Sequence, residues 1–106
     1  NNKEIKIMIT TKQRAKLKSL AQSMKPVLNI GKDNLNENTI TEIEKYLAKN
    51  ELMKIKILQA STENPKDVME FVCQKTNSEP VLVVGKILVI YKFSSNKGVK
   101  HILEND

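Results

Sequence analysis

The sequence predicts an α/β domain of order α-β-α-β-α-β-β, in which three helices pack on a mixed four-stranded sheet. Three segments carry apolar residues at helical spacing, and the segments that alternate with and follow them are short and rich in β-branched residues. Residues 81–84 and 87–91 are separated only by Gly85-Lys86, which predicts an antiparallel hairpin with a type II′ turn. Alternation of helices and strands predicts parallel neighbours elsewhere in the sheet. With 106 residues, the chain is long enough for a single core.

The first helix begins at Thr10 or Thr11, either of which is a suitable N-cap, and runs to about Ser23. Pro26 ends it, because the residue before a proline avoids the helical region. The helical spacing i, i+3, i+4, i+7 defines its core-facing stripe as Leu17, Leu20, Ala21 and Met24. The remaining surface is a nearly continuous basic face, formed by Lys12, Arg14, Lys16, Lys18 and Lys25.

A strand over residues 27–30 stops at Gly31, and the second helix begins soon afterwards, near the N-cap residue Asn36. Asn50 is its predicted C-terminal end. A strand, a glycine and a helix N-terminus in series bring backbone N–H groups and a positive dipole end to one place on the surface. We therefore expect this junction, with Lys32 beside Gly31, to be the functional end of the chain.

The segment over residues 52–58 alternates, which predicts a strand with one covered face and one exposed basic face. The covered side holds Met53, Ile55 and Ile57, and the basic side holds Lys54 and Lys56. Asn64-Pro65 then supplies the cap and first position of a third helix. Its predicted buried stripe is Val68, Phe71 and Val72, with Cys73 at the edge.

The ends of the chain are predicted to lie outside the domain, which spans residues 8–93. Residues 1–7 precede a natural start at Met8 and are interpreted as an N-terminal extension or a remnant of cloning. Residues 94–106 are polar and are expected to form a weakly ordered tail, in which His101 is a surface residue.

Several classes of protein are excluded by what the sequence lacks. It has no apolar run near 18 residues and no signal peptide, so we expect a cytoplasmic protein with no membrane partner. The lone Cys73 rules out an internal disulfide and a cysteine-based zinc site. No HExxH, P-loop or GxGxxG motif is present, so we expect no enzyme activity, no metal, no cofactor and no small-molecule substrate.

The charge is concentrated in one part of the chain. The formal net charge is +6, and residues 8–34 hold six basic residues against the single acidic residue Asp33. A one-sided basic surface favours a polyanionic partner, nucleic acid before membrane. The alternative is that the charge only keeps the surface solvated.

Six segments in order resemble the CRM domain family (chloroplast RNA splicing and ribosome maturation), and most closely its bacterial stand-alone YhbY type. They are Thr11-Lys12-Gln13-Arg14, Leu17-Lys18-Ser19-Leu20-Ala21, Lys25-Pro26-Val27, Ile30-Gly31-Lys32, Leu52-Met53-Lys54-Ile55-Lys56 and the segment from Val84 to Lys92. The resemblance implies the same α-β-α-β-α-β-β fold, similar to the C-terminal domain of translation initiation factor three. It also implies RNA binding and, for the bacterial type, association with precursors of the large ribosomal subunit.

The family carries a GxxG loop between the first strand and the second helix, comparable to the loop that clamps nucleotide backbone in KH domains. Here the loop is Gly31-Lys32-Asp33-Asn34, so asparagine replaces the second glycine. Asparagine tolerates the left-handed conformation, but its side chain and the charge of Asp33 hinder close approach of RNA.

We therefore predict a monomeric, non-catalytic protein that binds RNA, namely 23S ribosomal RNA or pre-50S particles. The predicted RNA-binding residues are Lys12, Arg14, Lys16, Lys18, Lys25, Gly31, Lys32, Asp33, Asn34, Lys54 and Lys56. One alternative is a protein-interaction module that docks on a ribosomal protein or assembly factor. Another is a small enzyme with a substrate pocket near Cys73.

Overall fold

The computed structural model describes residues 9–31, 35–58 and 64–103, and the elements follow the predicted order. The three helices are α1 (Thr11–Gln22), α2 (Glu37–Asn50) and α3 (Pro65–Thr76). The four strands are β1 (Leu28–Ile30), β2 (Leu52–Ile57), β3 (Glu79–Val84) and β4 (Ile87–Tyr91). The predicted α/β class with three helices and four strands is confirmed.

The sheet is mixed and has the strand order β1-β2-β4-β3. β1 pairs with β2 in parallel, whereas β4 lies antiparallel to both β2 and β3. Gly85 opens the β3–β4 turn at φ +56°, the left-handed region that a type II′ turn needs at this position. The hairpin leaves β4 inside the sheet, which explains its continuous run of apolar residues.

Helices cover both faces of the sheet, so the domain has two apolar clusters. The first cluster joins α2 and α3 to one face and includes Ile43, Leu47, Ile55, Val72 and Leu88. The second joins α1 to the opposite face and includes Leu17, Ala21, Leu52, Val89 and Tyr91. Alternate residues of β2 therefore point into different clusters. Leu52, on the α1 side, is buried as fully as Met53, Ile55 and Ile57, which form the predicted covered face.

The local signals at the helix ends match the structure. The hydroxyl of Thr10 accepts a hydrogen bond from the N–H of Gln13, and the side-chain Oε1 of Gln13 accepts one from the N–H of Thr10, which completes a capping box. Asn36 and Asn64 cap α2 and α3 through their side-chain carbonyls. Each cap satisfies a backbone donor that has no partner within its helix.

Two predicted core residues are instead exposed. Leu20 is 41% exposed because it lies about 60° around α1 from Leu17, at the rim of the stripe. Phe71 is 36% exposed, and its ring receives the Lys75 ammonium at 5.6 Å. The buried face of α3 is centred between Val68 and Val72 and extends to Met69 on the side away from Phe71.

The segment after β4 packs on the domain as far as the structure describes it, in contrast to the weakly ordered tail that its polar composition predicts. Ser94 is buried, and its hydroxyl donates to the carbonyl of Ala48 at 2.6 Å. Ile102 and Leu103 pack against the α1 cluster. His101 is not a plain surface residue, because its ring stacks on Phe93 and only 28% of its side chain is exposed.

Glu51 holds this segment in place. Its side chain is fully buried, and its carboxylate accepts hydrogen bonds from the backbone N–H groups of Ser94 and Ile102 at 2.8 and 2.9 Å. The Nδ1 atom of His101 lies 2.8 Å from the same carboxylate. Because an ionised carboxylate only accepts hydrogen bonds, Nδ1 carries the proton of this contact. The backbone carbonyl of Glu51 also accepts from Lys92 N–H at 2.8 Å.

These contacts set the ionisation of two buried groups. Burial alone would raise the pKa of Glu51, but the hydrogen bonds from Ser94, His101 and Ile102 and the attraction of His101 outweigh it, and the pKa is lowered from 4.5. Burial, followed by the negative charge of Glu51, raises the pKa of Tyr91 to about 12.

The lowered pKa makes stability depend on acid pH. As pH falls, the unfolded chain takes up a proton at Glu51 before the folded protein does. The contribution of Glu51 to the free energy of unfolding is therefore complete above pH 4.5 and is lost as pH falls through the folded pKa. Glu51→Gln should lose about 1–3 kcal/mol at neutral pH and flatten the acid limb of the stability curve. Urea unfolding followed by circular dichroism at several pH values measures both effects. Glu44→Gln, at an exposed position of α2, is the control, and equal curves for the two variants would contradict the prediction.

Candidate nucleic-acid interface

The candidate interface is built on α1, which lies across the sheet with one face buried and the other in solvent. Leu17 and Ala21 are buried against strands β2, β3 and β4. Three of the predicted basic residues are exposed, namely Lys12, Lys16 and Lys25. Arg14 and Lys18 are half-buried at the side of the helix. The basic face predicted from the helical spacing is thus present, with its most open charges on three lysines.

Arg14 has a structural contact. Its guanidinium donates a hydrogen bond to the backbone carbonyl of Pro80, at the start of β3. Pro80 lies on an edge strand. Proline has no N–H to donate to a neighbouring strand, and an edge strand tolerates this because it has a neighbour on one side only. The contact fixes the N-terminal half of α1 against β3, so Arg14 positions the helix as well as adding to its charge.

Lys54 fixes the other end of α1, and the prediction of an exposed basic face on β2 is wrong at this residue. Its ammonium donates to the backbone carbonyls of Ala21 and Met24, both at 3.0 Å. A cation at the C-terminus of a helix satisfies carbonyls that lack partners and interacts favourably with the dipole. Lys56, two residues further along β2, is exposed because α1 does not extend over it.

The predicted loop begins beside the ends of two other strands. Gly31 is half-buried and directly follows β1, whose last carbonyl, that of Ile30, accepts from Leu58 N–H at 2.8 Å. The N–H of Ile57 donates to the carbonyl of Lys86 in the β3–β4 turn, also at 2.8 Å. The start of the loop, the end of β2 and the hairpin turn therefore share one end of the sheet. Lys32, Asp33 and Asn34 lie outside the described residues.

The predicted binding residues are divided between two regions of the surface. Lys25 connects the C-terminal turn of α1 to β1, so it lies at the end of the helix that is nearer to Gly31 and Lys56. Lys12 and Arg14 lie at the other end of α1, beside the start of β3. The structure joins these regions through the basic face of α1 and does not gather all the predicted charges into one cluster.

Other activities would depend on a substrate groove near Cys73, on a group of metal ligands or on a helix that could span a membrane. A groove of about 850 Å³ lies between α3 and β3, and Cys73 is among its lining residues. The Sγ atom of Cys73 lies 3.7 Å from Met69 Sδ, and no histidine lines the groove. The residues that the structure describes include no group of three potential metal ligands. None of the described helices is both long enough and apolar enough to cross a membrane.

Comparison with known proteins places the chain in a family. The model of the CRS1 / YhbY (CRM) domain matches residues 9–92, which include α1, the Gly31 junction and the whole sheet. The chain belongs to the CRM domain family. The resemblance drawn from six short segments is therefore confirmed.

Three similar proteins, all bacterial, are matched over nearly their whole length. The chain is 35% identical over 94 residues to "Probable RNA-binding protein YqeI" of Bacillus subtilis, covering 88% of this chain and 98% of that protein. It is 33% identical over 92 residues to "RNA-binding protein" of Haemophilus influenzae, covering 87% and 93%. The solution structure of hypothetical protein SAV1595 from Staphylococcus aureus is similar, with 39% identity, a TM-score of 0.71 and coverage of 85% and 94%. The match thus covers more than nine-tenths of each of these three proteins.

The two neighbouring lysines of β2 should differ in their effect on stability. Lys54→Ala should lose about 1–2 kcal/mol of the free energy of unfolding, because two carbonyls at the end of α1 lose a charged donor. Lys56→Ala should change it by less than about 0.5 kcal/mol, since the side chain is exposed. Urea unfolding of both variants tests this difference, and similar losses would show that Lys54 does not anchor α1.

Proposed function

We propose that this protein binds RNA through the basic face of α1 and the loop that begins at Gly31. The observation that carries the proposal is the exposure of Lys12 and Lys16 on α1 and of Lys25 just after it, with the opposite face of the helix packed on the sheet. Membership of the CRM family supports it, as do relatives named as RNA-binding proteins from Bacillus subtilis and Haemophilus influenzae. The role proposed for the protein is non-catalytic.

The proposed contacts are chiefly with phosphates. A lysine ammonium is a compact charge that neutralises a phosphate without reading a base, so α1 would position the RNA and add little sequence selectivity. The loop would add backbone N–H groups and Lys32 near the positive end of α2. Arg14 and Lys54 contribute by holding α1 in place, while Lys18 and Lys56 extend the charge to either side.

The proposed target is ribosomal RNA in precursors of the large subunit, as the family resemblance implies. Positioning by phosphates suits a folded RNA whose backbone geometry is fixed, because shape then supplies the selectivity. Ultraviolet crosslinking of the protein to RNA in growing cells, followed by sequencing of the attached fragments, tests the target. Enrichment of 23S fragments supports the proposal, and enrichment of messenger or transfer RNA alone would overturn it.

Charge reversal on α1 tests the interface. The double variant Lys12→Glu/Lys16→Glu should weaken RNA binding by about a hundredfold and reduce the slope of log K against log salt by about one per lysine. The matched control is Lys45→Glu/Lys49→Glu, which makes the same charge change at exposed residues with the same spacing on α2, across the sheet. Filter binding or fluorescence polarisation over a range of salt concentrations measures both quantities.

Equal weakening by the two pairs of substitutions would mean that only net charge matters and that α1 is not the interface. If the protein does not bind RNA but associates with a purified ribosomal protein, and if that association does not depend on salt concentration, the protein-interaction alternative is favoured. Circular dichroism of each variant verifies that the fold is retained.

The loop can be tested separately through its departure from the family pattern. Asn34→Gly restores the second glycine of GxxG and removes a side chain from the path of the RNA backbone. We expect RNA affinity to rise by about three- to tenfold, with no change in the contribution of α1. Affinity equal to that of the original protein would assign the binding to α1 alone.

A further inference from the structure

A second surface lies on the same sheet face as α1, beyond the end of that helix. The strand register aligns four residues, one from each strand, in the row Asn29, Lys56, Ile87 and Val84. Asn29 and Lys56 are exposed, Ile87 is half-buried and Val84 is 57% exposed. Adjacent strands are about 4.8 Å apart, so the row is about 14 Å across. We call it the cross-strand row.

The row lies at and beyond the edge of the area that α1 covers, and only Ile87 packs against the α1 cluster. Along β2, Leu52 packs under α1 and Lys54 bonds to its last turn, whereas Lys56 is exposed. Along β4, Tyr91 and Val89 are buried in the α1 cluster, whereas Ile87 is only partly covered. Both strands therefore show the same boundary, and the sheet continues past the helix as a surface of its own.

The cross-strand row is apolar at one end and basic at the other. Val84 and Ile87 supply methyl groups on the β3–β4 hairpin, and the alternation of β2 places the exposed Leu58 on the same face. Lys56 and the turn residue Lys86 are exposed beside them. The segments that form this end of the sheet, residues 25–31, 54–58 and 82–87, contain four lysines and no aspartate or glutamate.

This chemistry selects among partners. Exposed aliphatic groups gain by contact with an apolar surface, while the exposed Lys56 and Lys86 beside them favour a polyanion. An RNA duplex presents phosphates and hydroxyls and keeps its base faces stacked inside, so it offers little to Val84 and Ile87. An unpaired nucleotide offers both an exposed base face and a phosphate. The amide of Asn29 can donate to and accept from a base edge.

We propose that the cross-strand row receives unpaired bases of a bound RNA, with Lys56 and Lys86 on the adjoining phosphates. The inference rests on the proposed RNA binding and deepens it, because it names the class of RNA as one with single-stranded nucleotides next to the phosphates held by α1. The row adjoins Gly31 at the end of β1, so an RNA strand that passes the loop would next reach the row.

The test removes methyl groups from the row without changing charge. Val84→Ser should weaken binding of a short fluorescein-labelled single-stranded RNA by about five- to tenfold, since a base face loses an apolar contact. The slope of log K against log salt should stay the same, because the phosphate contacts remain. Binding of the same strand annealed to its complement should also be unchanged. Val84→Ile should retain the affinity for the single strand.

Phe71→Ser is the control for loss of an exposed apolar group, because α3 packs on the opposite face of the sheet. Thermal unfolding verifies that both serine variants fold. The inference is overturned if Val84→Ser binds the single strand as well as Phe71→Ser does, or if single-strand and duplex affinities fall together.

Other outcomes separate this inference from the function on which it rests. Sedimentation equilibrium that shows self-association of the original protein, lost in Val84→Ser with RNA affinity unchanged, would assign the row to contact between copies and overturn the inference. If Lys12→Glu/Lys16→Glu weakens RNA binding but Val84→Ser does not, the proposed function stands and only the base-binding row fails. If the original protein binds neither form of RNA, both fail together.

Discussion

The buried carboxylate of Glu51 is the interaction on which the arrangement of the domain depends most. It lies where α2 ends and β2 begins, and the hydrogen bonds from Ser94, His101 and Ile102 tie the segment after β4 to that junction. The backbone of Glu51 has φ +66°, a conformation that is costly for a residue with a side chain. Three hydrogen bonds and complete burial over-determine this geometry, so the cost is offset where three segments meet.

The basic residues of the chain perform two kinds of task, which a count of charges does not separate. Lys54 and Lys92 donate to carbonyls at the C-terminal ends of α1 and α3, and Arg14 donates to the edge of the sheet. These three cations stabilise packing, while Lys12 and Lys25 stay in solvent. The same residue type thus anchors α1 and forms its exposed basic face, and the anchoring contacts keep that face rigid.

Most of the fold can be predicted from local sequence patterns, because helix caps and apolar periodicity depend only on residues that are close in sequence. The Asn36 and Asn64 caps, the hairpin at Gly85 and the order of the elements were predictable for this reason. Glu51 was not, because nothing near it in sequence indicates partners that lie more than forty residues away. Lys54 was misplaced because alternation shows which face a side chain takes, but not how far a helix extends over that face. The partition of sheet surface between α1 and the cross-strand row is likewise a tertiary property.

The central position of β4 has a consequence for how the chain acquires its structure during synthesis. The apolar stripe of α1 packs against Val81, Val89 and Tyr91, which are made much later than the helix. The backbone of β2 is likewise paired on both sides only when β4 is present, and β4 pairs with more of its residues than β1 does. Contacts between residues so distant in sequence close slowly. α1 and β2 can therefore complete their packing only once β3 and β4 are available.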